Sequence, residues 1–131
     1  MLGCSLLDAL PHRQSREGDT TIVELEMRDD LRGPAGSLHG GLVSVLIDCA
    51  GASCVAAAGK RPVATLHTSV DYLAAARVGP IRAEATLLRS TKTFGVSDVK
   101  VFDMGKDARL VAAAHVTVSY LDGQSFDRKV T

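Results

Sequence analysis

The chain has 131 residues, 46% hydrophobic and 23% charged, with 15 Lys or Arg balanced by 15 Asp or Glu. That length fits a single domain over 1–131, and zero net charge excludes the basic face that nucleic-acid binding needs. With no Trp, three Phe and two Tyr, the chain also lacks platforms for stacking bases.

Residues 5–10 read as a short helix, with Ser5 as N-cap and Pro11 ending it. The polar, charged stretch 11–19 reads as a surface connection. From Thr20 to Met27, Leu25 and Met27 alternate with Glu24 and Glu26, the pattern of a half-buried strand. Residues 28–36 form a charged loop punctuated by Gly33, Pro34 and Gly36.

Residues 37–58 read as one long helix, almost wholly apolar, with Gly59 as its stop. A helix that is apolar all round is a buried helix. Asp48 in its middle is costly to bury unless it is paired or used, and Asp is a weak helix former. The helix is long enough to span a bilayer, but His39, Ser44, Asp48, Ser53 and its glycines interrupt it. Its flanks read as strands of a soluble sheet, so no membrane span is expected.

Four strands follow. In 62–73, Val63, Thr65, His67, Ser69 and Asp71 share one face, with Ala64, Leu66, Thr68, Val70 and Tyr72 on the other. Residues 81–89, 94–102 and 109–121 also alternate, joined by turns at 74–79, 90–93 and 104–107. Short turns make neighbouring strands antiparallel. A single sheet must then wrap around the long helix to bury it, an α+β architecture with its core at about 20–121. Residues 122–131 are expected to be a loose polar tail.

Cys4, Cys49 and Cys54 are an odd set without metal spacing, read as packing residues in a reduced, cytoplasmic compartment. Cys4 is not preceded by the charged and apolar regions of a lipoprotein signal. No His, Cys and acid set has zinc spacing. His67, Asp71 and His115 are read as structural or surface residues. Ser44 and Ser53 lack the turn of a serine nucleophile.

The string Gly36-Ser37-Leu38-His39-Gly40-Gly41, followed by Leu46-Ile47-Asp48, resembles the signature of the PaaI-type acyl-CoA thioesterases of the hotdog fold. In that fold an antiparallel sheet wraps around one long central helix. The resemblance covers about 20–121 and extends to Val63-Ala64-Thr65 and Val70-Asp71-Tyr72-Leu73. It implies hydrolysis of an acyl-CoA to a free acid and CoA, with no cofactor, coenzyme A being part of the substrate. It implies a homodimer, assembling further as a dimer of dimers. Asp48 would be nucleophile or general base, and the Gly40 N–H would bind the thioester oxygen. Thr65 would orient the acid or the attacking water, while His39 and Gly41 would shape the oxygen pocket. The family usually has Asn six residues before His39, holding the thioester carbonyl; this chain has Gly33.

This chemistry suits the sequence. A helix N-terminus offers free N–H groups and a positive dipole end to a developing oxyanion, and glycine lets the ligand approach the backbone. A carboxylate among apolar residues should be poorly hydrated and more basic than free Asp. From Gly40 to Asp48 the helix rises about 12 Å at ~1.5 Å per residue. One thioester carbon cannot reach both in a single chain, so a site that uses both lies between two subunits related by a twofold axis. Lys60, Arg61, Arg89 and Lys92, in turns or at strand ends, are candidates for the phosphates of coenzyme A. Two other readings are a non-catalytic acyl-CoA-binding module, favoured by Gly33, and a hydratase or dehydratase, which lacks a His placed to work with Asp48.

Overall fold

The computed structural model describes residues 5–121, Ser5 by its backbone alone. The expected Ser5 cap, Cys4 and the 122–131 tail lie outside it. A short helix α1 (Ser5–Asp8) precedes strands β1 (His12–Glu17) and β2 (Thr20–Leu25), then the long helix α2 (Gly40–Gly59). Strands β3 (Val63–Tyr72), β4 (Ile81–Ser90), β5 (Phe94–Asp103) and β6 (Arg109–Tyr120) complete the fold. They form one six-stranded antiparallel sheet in the order β1-β2-β4-β5-β6-β3, with α2 packed against it. This is the sheet-around-helix architecture the sequence predicts.

The first half of the chain departs from expectation. The supposed connection at 11–19 is mostly β1, paired residue for residue with β2 from His12↔Leu25 to Glu17↔Thr20. Gly18, at φ 59°, and Asp19 make a two-residue hairpin turn of the kind that places glycine first. As an edge strand, β1 buries little and needs no apolar alternation, so its polarity concealed it. Helix α1 stops at Asp8, short of the expected 5–10, and Leu7 is fully buried.

Helix α2 starts at Gly40 rather than Ser37 and runs through Gly59, with Lys60 as its left-handed C-cap at φ 54°. Gly59 serves packing instead: a Cβ there would lie 2.4 Å from Tyr120 Cε1. Val43, Leu46, Ile47, Ala50, Cys54 and Val55 join the core shared with the inner faces of β2, β4, β5 and β6. The helix is not buried on all sides. Leu42, Val45, Asp48 and Cys49 are half-buried, and Ala57 and Ala58 are exposed. The helix is long and apolar enough to cross a membrane by length and composition, and half of that stretch is buried within the fold.

Strand β3 breaks the predicted alternation. Its register against β6 slips between Thr65 and His67, leaving Leu66 bulged out and 64% exposed. A bulge adds one residue to one strand and switches which side chains face inward. Val63 and Thr65 face α2 before it; Val70 and Tyr72 do so after it.

A buried carboxylate ties down the loop between β3 and β4. Asp103 is 0% exposed and accepts the backbone N–H groups of Arg77, Val78 and Gly79 at 2.8, 3.0 and 2.8 Å. Burial pushes its pKa up, but the amides of Val78, Arg77, Gly79 and Gly105 outweigh that and hold it below the ordinary Asp value.

Candidate active site

The N-terminus of α2 is capped by its own histidine. His39 has an extended backbone, at φ −56° and ψ 131°, and its Nδ1 accepts the Gly41 N–H at 3.0 Å. An accepting Nδ1 places the neutral ring's proton on Nε2. The cap consumes the Gly41 amide but not that of Gly40, which has no acceptor among the described residues. Gly40 is exposed. Of the two glycines, only Gly40 therefore offers a free N–H at the positive end of the helix. Position 33 adjoins this spot: a Cβ on Gly33 would lie 3.7 Å from His39 Cα and 3.8 Å from His39 Cδ2. A side chain there would sit beside the helix start, and glycine leaves that space open.

Tyr72 covers the same helix end from β3. Its hydroxyl donates to the Gly40 carbonyl at 3.1 Å and lies 2.5 Å from Ser44 Oγ. Neither Tyr72 nor Ser44 was expected at the site. The alternation of β3 puts Tyr72 on the face opposite Thr65, and only the bulge at Leu66 brings the two together. The one sequence signal was Tyr72's place in the Val70–Leu73 segment.

Two turns along α2, Asp48 Oδ1 accepts the Thr65 hydroxyl at 2.6 Å. Oδ2 has no partner among the described residues and stays available. Asp48 is half-buried and Thr65 exposed, so the pair faces outward beside β3, an edge strand of the sheet. Large apolar side chains stand exposed along this edge: Leu66 and Tyr72 of β3 and the following Leu73 are 64, 55 and 56% exposed.

The four basic candidates collect at the far end of the helix. Lys60 and Arg61 follow α2, while Arg89 and Lys92 flank the β4–β5 turn. Arg61 Nη1 donates to the Lys92 carbonyl at 3.0 Å and its guanidinium lies 4.6 Å over the Tyr120 ring, joining the two turns. On the outer sheet face, His115 and Lys100 both pair with Asp98, at 3.3 and 2.6 Å, and His67 and Asp71 are exposed. Among the described residues no group of His, Cys, Asp and Glu could hold a metal.

A model of the family described as the thioesterase superfamily matches residues 35–108, the span holding the whole α2–β3 arrangement. The chain is 40% identical over 70 residues to an esterase-named protein of Halobacterium salinarum. That match takes in 50% of this chain and 46% of the relative, so it spans about half the relative's length. Among solved structures, a thioesterase of Haemophilus influenzae superposes with TM-score 0.85 at 20% identity, covering 95% of this chain and 87% of its own. The Escherichia coli PaaI protein from the phenylacetic acid degradation operon superposes with TM-score 0.79 at 18% identity, covering 92 and 86%. A thioesterase-superfamily protein solved by a structural genomics consortium matches at 29% identity and TM-score 0.81, over 90% of each chain.

Proposed function

Because this chain belongs to the thioesterase superfamily, we propose that it hydrolyses an acyl-CoA thioester to the free acid and CoA. The observation that carries this reading is the pairing of Asp48 with Thr65 at 2.6 Å on an exposed face, with one carboxylate oxygen left free. Thr65 fixes Oδ1 and points Oδ2 at the substrate. Asp48 attacks the thioester carbon to form a mixed anhydride, or takes a proton from the water that attacks it. The C–S bond breaks, and the departing thiolate is protonated to CoA; on the anhydride route water then attacks the Asp48 carbonyl carbon, releasing the free acid and restoring the carboxylate. Negative charge on the carbonyl oxygen is met by the Gly40 N–H. Removing one such donor typically costs ~10²–10³ in rate.

Gly40 and Asp48 are eight residues apart on α2, about 12 Å at ~1.5 Å per residue. The working pair is therefore Asp48 of one subunit and Gly40 of its partner, in a homodimer with two sites. The open apolar edge of β3 supports this assembly, since an exposed strand edge is a template for pairing with a second copy. Two dimers then associate as a dimer of dimers. Lys60, Arg61, Arg89 and Lys92 receive the phosphates of the bound coenzyme, and the protein works in the cytoplasm without another cofactor or metal.

Thiol release from a panel of acyl-CoAs tests the activity. Turnover that disappears in Asp48→Asn supports it; turnover unchanged by that substitution contradicts it. Single turnover in labelled water separates the two roles of Asp48, since label enters its carboxylate only through an anhydride. Gly33 favours a second reading, a non-catalytic acyl-CoA binder, because the side chain that would help hold the carbonyl is missing beside His39. Calorimetric binding of acyl-CoA without thiol release would select it.

A further inference from the structure

A cavity of about 490 Å³ lies between the C-terminal half of α2 and the β1–β2 hairpin. That is within the ~300–1,000 Å³ usual for small-molecule sites. Its walls are aliphatic: Ala56 and Ala57 from the helix and Pro62 from the turn after it. Arg16, Lys60 and Arg61 also line it, and among the described residues no acidic side chain does. None of these three cations pairs with a carboxylate among the described residues: Arg16 donates to the Thr21 hydroxyl and Arg61 to the Lys92 carbonyl. Coulomb attraction there is left for a ligand.

A second observation is independent of the charge. Ser53 lines the cavity, is 5% exposed, and its Oγ has no hydrogen-bond partner among the described residues. The buried hydroxyl of Ser97, by contrast, donates to the Gly51 carbonyl at 3.1 Å. Buried polar groups are nearly always satisfied, so the orphan at Ser53 marks a polar contact still to be made. Gln14 Oε1 of β1 is another buried atom without a partner among the described residues.

We infer that this cavity binds an aliphatic carboxylic acid, its chain against Ala56, Ala57 and Pro62 and its head between Arg16, Lys60 and Arg61. Methyl and pyrrolidine walls suit an alkyl chain, whereas no aromatic side chain lines the cavity to stack a nucleobase. Lys60 lies twelve residues beyond Asp48, about 18 Å along the helix at ~1.5 Å per residue. The acid thus sits far from Asp48, but its head draws on Lys60 and Arg61, which also receive the coenzyme phosphates in the proposed hydrolysis, so bound acid and bound acyl-CoA compete. Because no thioester enters the test, the inference stands or falls separately from the hydrolase reading.

The experiment is calorimetric titration of sodium decanoate, below its micelle concentration, into the 131-residue chain. Decanol and adenosine 3′,5′-bisphosphate serve as comparison ligands, and thermal melts check the fold of each variant. Decanoate should saturate one site per chain, with decanol at least about tenfold weaker. Ala57→Leu, which adds a helix-compatible side chain on an exposed position lining the cavity, should abolish binding. Arg16→Gln should weaken it about tenfold without filling the cavity, and so keeps the inference testable if Ala57→Leu misfolds. The inference is overturned if decanoate does not bind, or binds Ala57→Leu as well as the parent. It is also overturned if the bisphosphate alone binds and is lost in Ala57→Leu, which would give the cavity to the nucleotide end of the coenzyme.

Discussion

His39 decides which amide of the helix end stays free. By accepting the Gly41 N–H, its Nδ1 leaves the Gly40 N–H as the free donor of the helix end. Gly40 is also the first helical residue, where proline is well tolerated because its missing N–H is unneeded there. Gly40→Pro should therefore fold normally and lower kcat by ~10²–10³; a melt and a thiol-release assay check both halves. Thr65→Val removes the hydroxyl on Asp48 Oδ1 and should reduce kcat more than KM, which substrate-saturation kinetics would show. Asp103 carries a stability prediction. Its folded pKa is lowered, so its contribution is present above the unfolded value of about 3.9 and is lost as pH falls through the folded value. Asp103→Asn should lose about 1–3 kcal/mol near neutrality and show a flatter fall in stability below about pH 4, measured by denaturant melts across pH. At this scale the family resemblance pointed to His39, Gly40, Asp48 and Thr65, and the structure sets the Thr65 hydroxyl on Asp48. Tyr72 and Ser44 were hidden because their meeting depends on a slipped strand register.

Among the elements, α2 was legible and β1 was not, for the same physical reason. A hydrophobic pattern reports burial, and α2 buries one long side while β1 hardly buries anything. The ends of α2 were misread for a related reason. Gly59 looks like a stop signal, yet it is required by the Tyr120 ring against it, and Lys60 takes the left-handed position. The β3 bulge is equally silent, because Thr65-Leu66-His67 alternates as smoothly as the rest of the strand. Helix and sheet also approach closely at Gly51, where a Cβ would lie 2.7 Å from Val116 Cγ2 and 2.8 Å from Ser97 Oγ. Gly51→Ala should overpack this contact and destabilise the fold by about 1–3 kcal/mol, despite alanine's better helix propensity. A variant as stable as the parent would show that the sheet can retreat.

Taken as a whole, the molecule leaves its chemistry on its boundary. Asp48, Thr65, Tyr72 and the open β3 edge share one face, and the two groups proposed to act together, Asp48 and the Gly40 N–H, are too far apart to meet within one chain. The fold class was legible because strand order and short turns determine it; the proposed pairing of copies rests on the distance between Gly40 and Asp48. Leu66 offers a direct handle. It is 64% exposed at the bulge, and Leu66→Lys puts a charge on the edge that should block strand pairing. Sedimentation should find that variant monomeric, folded and inactive, whereas a fully active monomer would place the whole site in one chain. The most direct test of the shared site is complementation. Asp48→Asn and Gly40→Pro subunits, each inactive alone, are mixed, allowed to exchange, and assayed for thiol release. In random mixing half the dimers are hybrids, and each hybrid carries one intact site of two, so activity should recover to about a quarter of the parent. No recovery, with hybrid dimers demonstrated by mass, would contradict a site built from two subunits.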